Sequence, residues 1–424
     1  MNEQIKKRIV QLNKGEIPDG YKKTAFGVFP EEWDTEKTLK DIGNFGKGKG
    51  LPGNKMKNEG VPCVGYGDIY MKYNYHFENA ENFVDEETAI NSQEIKKGTL
   101  LFTATGETAE EIGKCVCYNG VEPIYAGGDI ITFESNSINP LFLAYQQYQG
   151  FSLSKKSSLG QGHSVVHIHK EDLDQMHVAY PVDEKEQAKI AEILMKWDED
   201  VTLHEKIIEQ LLTRKKIIIR NILTEKKRVL GFDISWEEHC IGEYLEARDE
   251  KQMPSKAAPL MAFVAGIGIT DKGERYDRSF LVKDDSKKYK RTEMNDFIYS
   301  SNNLDVGSIG LNQYGTAVIS VVYEIFKVKS NAIPAVISEI IQLPYNINKI
   351  IAYRQGALYG QYRIHSRDFL SVKIKVPSFE EQEKISDIIS LLNKEIYYKQ
   401  NKLKMLKKQR HALQQYLLTG IVRI

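Results

Sequence analysis

Two long stretches of the chain share the same spacing of apolar residues. Between Ile190 and Ile222, apolar side chains recur at alternating intervals of four and three residues, and the pattern returns 195 positions later, between Ile385 and Leu417. This spacing is typical of helices that pack as a left-handed coiled coil. We predict that the seam between two such helices consists of Ile190, Leu194, Trp197, Val201, Ile208, Leu211, Ile218, Ile222, Ile385, Ile389, Leu392, Ile396, Leu403, Leu406, Leu413 and Leu417.

Polar residues interrupt both stripes at the same two places. His204 and Lys215 interrupt the first, and Lys399 and Arg410 interrupt the second. Such residues either fix the register of a helix pair or extend to its edge. A single helix in water would expose its apolar stripe, so we predict that the two helices pack antiparallel against each other. The alternative is that each helix packs on its own globular domain.

The stretches before the two helices repeat as well. Pro140 corresponds to Pro334, each predicted to open a helix, and Glu186-Gln187 corresponds to Glu381-Gln382. A period of about 195 residues is too long for a solenoid and indicates a duplicated domain. Runs of β-type residues between Gly and Asn turns predict strands at Val61–Tyr70, Thr99–Thr105, Lys114–Tyr118, Asp129–Glu134, Leu260–Val264, Asp296–Ser300, Ala317–Val322 and Phe326–Lys329.

These patterns indicate an α+β fold in which two pseudo-repeated domains with twisted β-sheets are joined by two long helices forming an antiparallel coiled coil. The spacing of Ile5, Ile9 and Leu12 adds a short helix at the start. The predicted organisation is an N-terminal helical segment over residues 1–22, a first domain over 23–180, a central long helix over 181–226, a second domain over 227–376 and a C-terminal long helix over 377–424.

Composition and charge narrow the possible roles of the chain. No apolar run approaches the ~20 residues needed to span a bilayer, and residues 1–8 lack the apolar core of a signal peptide. We therefore expect a cytoplasmic protein. The 58 basic and 58 acidic residues cancel, although nucleic-acid binding normally leaves a basic excess. The charges are uneven: residues 31–130 hold 18 acidic and 10 basic side chains, whereas residues 396–424 hold seven basic side chains and no acidic one.

The motifs of common catalytic sites are missing. The stretch Gly43–Gly50 approaches a P-loop but lacks the hydroxyl residue that follows Gly-Lys and binds magnesium. None of the 12 prolines is adjacent to another, which excludes the Pro-Pro-Tyr loop of amino-methyltransferases. His163, His167 and His169 have no cysteine or carboxylate at ligand spacing, so we predict no metal site. These observations argue against a self-sufficient nuclease or methyltransferase and predict no catalytic residue.

Several motifs, taken in order, resemble those of one protein family. They are Gly27-Val28-Phe29-Pro30-Glu31-Glu32-Trp33, Val61-Pro62 with a following Gly67-Asp68-Ile69 strand motif, Gly98–Phe102 with Gly113-Lys114, and the starts of the two long helices at Pro181–Ile190 and Pro377–Ile385. Almost the whole chain resembles the DNA-specificity subunits of type I restriction–modification systems. The second domain departs from the pattern, because Gly231–Trp236 contains no proline.

The resemblance implies a non-catalytic subunit that binds double-stranded DNA and reads a bipartite sequence, one half-site per target-recognition domain. The helix pair would set the gap between half-sites. Two methyltransferase subunits carrying S-adenosylmethionine would bind the scaffold, and restriction/translocase subunits using ATP and Mg would join for cleavage. No cofactor would reside in this chain, and no membrane would be involved. The alternative is a coiled-coil protein-binding scaffold without intrinsic DNA recognition.

Base edges are read best by Arg and Lys on guanine and by Asn and Gln on adenine. The DNA-contacting residues that we predict are therefore basic or amide side chains in glycine-rich loops. They are Lys47, Lys49, Asn54, Lys55, Lys57, Lys155, Lys156, Gln161, His163 and His167 in the first domain, and Lys272, Arg275, Arg278, Lys287, Lys288, Lys290, Arg291, Gln361 and Arg363 in the second.

Overall fold

The computed structural model describes residues 3–51, 53–162, 165–270, 287–300, 304, 308–358 and 361–424. The chain forms two compact units. The first unit consists of Met1–His204 together with Lys402–Ile424, and the second consists of Glu205–Asn401. Within the described ranges, no helix combines the length and the apolar character needed to span a bilayer.

The first unit is built on two β-sheets, whose alternating buried residues form its cores. One sheet has five strands in the order Gly43–Lys47, Ile130–Ser135, Leu100–Thr103, Cys115–Tyr118 and His76–Phe77. The other has four, in the order Asn82–Val84, Val61–Val64, Ile124–Ala126 and Gln93–Ile95. Smaller strand pairs are Tyr21–Thr24 with Gly27–Pro30, Thr105–Gly106 with Val166–His167, and Trp33–Asp34 with Tyr180–Pro181.

The second unit has the same arrangement, but each of its two larger sheets has one strand fewer. Its four-stranded sheet has the order Leu245–Ala247, Tyr323–Val328, Phe297–Ser300 and Ile309–Leu311, and its three-stranded sheet has the order Lys251–Gln252, Tyr289–Thr292 and Ala317–Ile319. The remaining pairs are Glu237–Cys240 with Lys373–Val376, Ala262–Val264 with Gly268–Thr270, and Gln355–Leu358 with Gln361–Arg363. Together with the helices, these sheets confirm the predicted α+β fold.

Short helices connect the strands in both units. Asn139 caps the helix that follows it by accepting a hydrogen bond from the Phe142 amide, and Pro140 occupies the first helical turn, where its missing N–H costs nothing. Pro334 holds the same place in the second unit. The helices are Glu3–Asn13, Leu39–Ile42, Tyr66–Met71, Glu86–Ile90, Pro140–Gln146, Gly150–Leu159, Lys170–Asp174, Pro334–Ile341, Pro344–Ile351 and Ser366–Ser371, with 3-10 turns at Gly53–Lys55 and Ile241–Glu243.

Two predicted strands are too long. The strand expected over Ala317–Val322 ends at Ile319. The strand expected over Val61–Tyr70 ends at Val64, and Tyr66–Met71 is a helix. The cause is Asp68, whose carboxylate accepts a hydrogen bond from the Gly65 amide (2.9 Å) and a second from the side-chain amide of Asn82 (2.6 Å). A carboxylate at the third helical position satisfies an amide that the first turn leaves without a partner, and this favours a helix start at Gly65. The predicted N-terminal helix is confirmed over Glu3–Asn13.

Two long helices, each of 40 residues, follow the predicted repeat. The central helix covers Glu184–Leu223 and the C-terminal helix covers Phe379–Leu418, so both ends are offset by 195 residues. The residues after them are also equivalent: Glu225 and Gly420 both adopt left-handed backbone conformations, with φ of 57° and 69°. A left-handed residue breaks the helical hydrogen-bond pattern, which explains why both helices end at the same place.

Each unit contains one end of each long helix. In the first unit, Ile190 and Leu194 of the central helix share a core with Leu417 and Leu418 of the C-terminal helix. In the second unit, Ile219 and Leu223 share a core with Ile385 and Ile389. Residue numbers rise along one helix as they fall along the other, which confirms the antiparallel arrangement within each unit. The alternative of packing on a globular domain also holds in part, because the same cores contain sheet residues.

The structure leaves no predicted seam residue exposed. Eight of the sixteen are buried and the others are half-buried. Of the polar interruptions, Arg410 and His204 are buried, whereas Lys215 and Lys399 are half-buried.

Arg410 donates to the carboxylate of Asp198 from Nε (2.7 Å) and Nη2 (3.1 Å) and to the Tyr75 hydroxyl from Nη1 (2.7 Å). The Tyr145 hydroxyl donates to the same carboxylate (2.7 Å).

Asp198→Asn should destabilise the first unit by about 3 kcal/mol, because it leaves the buried Arg410 guanidinium without a countercharge. Thermal unfolding of the full chain should show the transition temperature falling by about 6–10 °C. Glu192→Gln on the same helix is the matched control, since Glu192 pairs with Lys189 and Lys196 at an exposed site where ion pairs contribute little. Equal unfolding temperatures for both variants would contradict the prediction.

Candidate nucleic-acid interface

A glycine loop in the first unit presents two of the predicted lysines. Lys47 ends its strand, and the Gly48 amide donates to the carbonyl of Ile130 (2.8 Å). A Cβ atom at Gly48 would lie 1.8 Å from the carbonyl oxygen of Gly127, so only glycine fits there. Lys47 and Lys49 flank this close approach, and both are exposed. The loop therefore presents two exposed ammonium groups on a fixed backbone.

The continuation of this loop carries the next three predicted residues. Asn54 and Lys55 are exposed on the 3-10 turn Gly53–Lys55. Lys57 is also exposed, and its Nζ lies 3.1 Å from the Asp85 carboxylate. Hydrogen bonds from Thr88, and then Lys57, hold the pKa of Asp85 well below its usual range. Lys57 is thus accessible but already paired with an acid.

A second segment of the first unit contains Gln161 and His167. Backbone hydrogen bonds in both directions (2.9 and 2.8 Å) join these two residues and close the loop between them. Both side chains are exposed, and the His167 Nδ1 atom lies 3.3 Å from the Thr105 hydroxyl. Lys155 is exposed on the preceding helix, and His163 lies outside the described residues.

The prediction of a DNA contact is wrong for Lys156. Its side chain is only 1% exposed, because the helix Gly150–Leu159 turns Lys155 outward and Lys156 into the core. The Lys156 ammonium donates to the carbonyl of Gly113 (2.8 Å), and burial lowers its pKa to about 8. A side chain in this position cannot reach a phosphate or a base.

In the second unit, the basic run before and within the strand Tyr289–Thr292 divides into two parts. Lys287 and Lys288 are exposed. Lys290 is 7% exposed and donates to the Glu324 carboxylate (2.7 Å), so the prediction of a DNA contact is wrong for it too. The reason is the strand itself, in which Tyr289, Lys290 and Thr292 are buried and Arg291 is half-buried.

Arg291 is half-buried and its charge is balanced by acids. Its Nη2 atom donates to Glu293 (2.7 Å), and Glu250 lies 3.7 Å from its Nε atom. Arg248 donates to the same two carboxylates and to the buried Asp296 (3.1 Å). Two guanidinium groups therefore face three carboxylates. The run 287–291 is less basic at its surface than its sequence indicates.

Arg363 ends the hairpin formed by Gln355–Leu358 and Gln361–Arg363. Its side chain is 56% exposed, and its Nη2 atom donates to the Glu324 carboxylate (3.2 Å). Gln361 lies on the same strand, but its side chain is outside the described residues, as are Lys272, Arg275 and Arg278.

Sequence patterns missed the groups that support the exposed side chains. Thr105 contacts His167 and Glu324 contacts Arg363, and neither was predicted. The available signal was weak: Glu324 is an acidic residue within the otherwise mostly apolar strand Tyr323–Val328. In the part of the chain that the structure describes, no three His, Cys, Asp or Glu side chains cluster closely enough to hold a metal ion.

The chain contains a duplicated α+β unit, two antiparallel long helices and exposed basic loops. This combination is characteristic of the DNA-specificity subunits. The family described as the type I restriction modification DNA specificity domain matches residues 30–213 and 234–408. The chain belongs to this family.

Individual relatives agree along nearly the whole chain. It is 24% identical over 440 residues to the putative type I restriction enzyme MjaX specificity subunit of Methanocaldococcus jannaschii, covering 96% of this chain and 97% of that one. Its fold is similar to the S subunit of a type I restriction–modification system from M. genitalium (TM-score 0.54, 16% identity, 91% and 96% coverage). A chain from a study of complex assembly and conformational transition in a type I R-M system is also similar (TM-score 0.58, 13% identity, 93% and 99% coverage).

Lys156→Met should stabilise the protein by about 2 kcal/mol at pH 7, because it removes an ammonium group whose burial is costly. The folded-state pKa of Lys156, about 8, lies below the ordinary value of 10.5. The cost is therefore present in full below pH 8 and disappears as the pH rises towards 10.5. Thermal unfolding between pH 7 and 10 should show the advantage of the variant shrinking over this range.

Lys155→Met is the matched control, since the neighbouring lysine is exposed. Its effect on the unfolding temperature should be small and independent of pH. A difference between Lys156→Met and the unsubstituted protein that stays constant across the range would contradict the assignment of a buried, charged lysine.

Proposed function

We propose that this chain is the sequence-specific DNA-recognition subunit of a type I restriction–modification complex, and that each unit reads one half of a bipartite target. One observation carries the proposal. His167 and Arg363 are equivalent in the internal repeat, 196 residues apart, and both side chains are exposed at the ends of short strands. A repeated scaffold that displays a different hydrogen-bonding side chain at the same position suits the reading of two different base sequences.

The helix pair would set the gap between the half-sites. At ~1.5 Å per residue, a 40-residue helix is about 60 Å long. Half-sites on one face of B-DNA lie about 34 Å apart, which is within this length. Because each helix contributes one end to each unit, its length would determine the separation of the two bound half-sites.

Catalysis and most phosphate neutralisation would come from partners. Two methyltransferase subunits carrying S-adenosylmethionine would bind the scaffold, and restriction/translocase subunits using ATP and Mg would join them in the cytoplasm. This chain would contribute no catalytic residue and no cofactor. Residues 31–130 carry a net charge of −8, from 18 acidic and 10 basic side chains, and Arg291 and Lys290 are paired with acids. The isolated chain should accordingly bind DNA weakly.

Sequencing of methylated bases in a host that carries this chain and its methyltransferase tests the proposal. A bipartite motif with a fixed gap is expected. Replacing residues 227–376 with the equivalent domain of another family member should change one half-site and leave the other intact. If the complex forms but methylates no defined motif, the protein-binding scaffold is the better description.

Deleting one heptad from each long helix should shorten the gap without altering either half-site. Removing residues 200–206 and 402–408 preserves the antiparallel partners and the seam spacing and shortens the pair by about 10 Å. The gap should shrink by about three base pairs at 3.4 Å per base pair. Deleting the heptad from one helix alone is the control, since it breaks the register of the pair. A paired deletion that leaves the gap unchanged would contradict the role of the helices.

A further inference from the structure

Three charged side chains in the second unit form two consecutive ion pairs that lead from the core to the surface. Lys290 is the innermost, with its ammonium 2.7 Å from one oxygen of Glu324. The other Glu324 oxygen accepts a hydrogen bond from Arg363 Nη2 at 3.2 Å. Side-chain exposure rises from 9% for Lys290 and 10% for Glu324 to 56% for Arg363.

The buried lysine decides the net charge of this group. Glu324 with Arg363 alone would be a neutral pair, which attracts no polyanion. Lys290 neutralises the carboxylate from the interior, so the group as a whole keeps one positive charge, and the exposed member is the arginine. Glu324 also has its countercharge without Arg363. The Arg363 contact is therefore not required to stabilise a buried carboxylate, and half-exposed ion pairs add little to stability.

The contact fixes the direction of the guanidinium. A free arginine side chain has many rotamers, and a carboxylate that accepts from one Nη atom restricts them. Glu324 engages Nη2, and among the described residues the Nε and Nη1 atoms of Arg363 have no hydrogen-bond partner. An arginine has five N–H donors, so enough remain for the bidentate contact with guanine O6 and N7.

The equivalent position in the first unit has a support of its own. His167, the counterpart of Arg363, contacts the hydroxyl of Thr105. A hydroxyl can donate to or accept from an imidazole, whereas a carboxylate suits a guanidinium. Each exposed side chain is thus paired with a group that matches its chemistry.

We propose, resting on the function proposed above, that Glu324, neutralised from the core by Lys290, is a positioning residue that orients Arg363 to read a guanine in the second half-site. Glu324 itself does not contact DNA. Its role is the direction that it gives to Arg363, so its loss changes which sequences are recognised rather than whether DNA is bound.

Glu324→Gln and Arg363→Lys, each assembled in full-length form with the methyltransferase, test the proposal. Both variants should lose discrimination, by about 10- to 100-fold, at one and the same base pair of the second half-site. Lysine keeps the charge of Arg363 but not its planar fork. The readouts are the methylated motif and the binding of duplexes with single base-pair changes. The first half-site should be read as before, which shows that the complex is folded.

Glu238→Gln is the matched control, because it removes one acidic charge from the same unit at the exposed pair with Lys349 and should leave the motif unchanged. Nonspecific affinity should not fall in Glu324→Gln, whereas a purely structural role would lower it. The unfolding temperature should fall in either case, because Lys290 loses its buried countercharge. Should Glu324→Gln fail to fold, Glu324→Asp decides, since it keeps the charge beside Lys290 and withdraws the carboxylate from Arg363.

Undiminished discrimination in Glu324→Gln, or in the Asp variant where that one is used, would overturn the proposal, as would relaxation at a different base pair from that affected by Arg363→Lys. These results are distinct from a failure of the proposed function. In that case the unsubstituted complex would itself methylate no bipartite motif.

Discussion

In each unit, an arginine that follows one long helix forms an ion pair with a glutamate at the start of the other long helix. The rest of the structure depends on these two ion pairs. Arg423, beyond the C-terminal helix, donates to both oxygens of Glu186 at the start of the central helix (2.7 and 2.8 Å). Arg228, its repeat equivalent, does the same with Glu381 (3.3 and 3.0 Å). Bidentate pairs of this kind are directional and, when poorly exposed, costly to break. The glutamine that follows each glutamate has a contact of its own. Gln187 accepts a hydrogen bond from the Asn139 amide and Gln382 from the Ile333 amide, at the start of a short helix in each unit. Both residues of the Glu-Gln pair at the start of each long helix are therefore used.

A chain with no net charge can still present cations to DNA if its acids are placed to neutralise only some of them. In the second unit, carboxylates pair with Arg248, Lys290 and Arg291, while Lys287 and Lys288 stay exposed. Arg363 has features of both sets, because it is paired with Glu324 and is also exposed. This pairing lowers the nonspecific attraction to DNA and leaves a few exposed basic side chains available for contact.

The predicted site residues show what one-dimensional reasoning about charge can and cannot do. A basic residue in a polar run is usually exposed, and this held for Lys47, Lys49 and Lys155. It failed for Lys156, which lies on the inward face of its helix, and for Lys290, which lies in a strand that is mostly buried, because charge alone does not reveal the direction or the burial of a side chain. The helix Tyr66–Met71 was missed for a related reason, since its start depends on Asp68 and its partner Asn82.

The sequence by itself determined the duplication, the lengths of the long helices and their apolar seam, because these are periodic features that recur 195 residues apart and need no tertiary information. Only the tertiary structure decided which cations are available. Burial of Lys156, neutralisation of Lys290 and orientation of Arg363 all result from groups far away in the chain, such as Gly113 and Glu324. Electrostatic interactions act through space and depend on local burial, so no pattern of neighbouring residues could specify them.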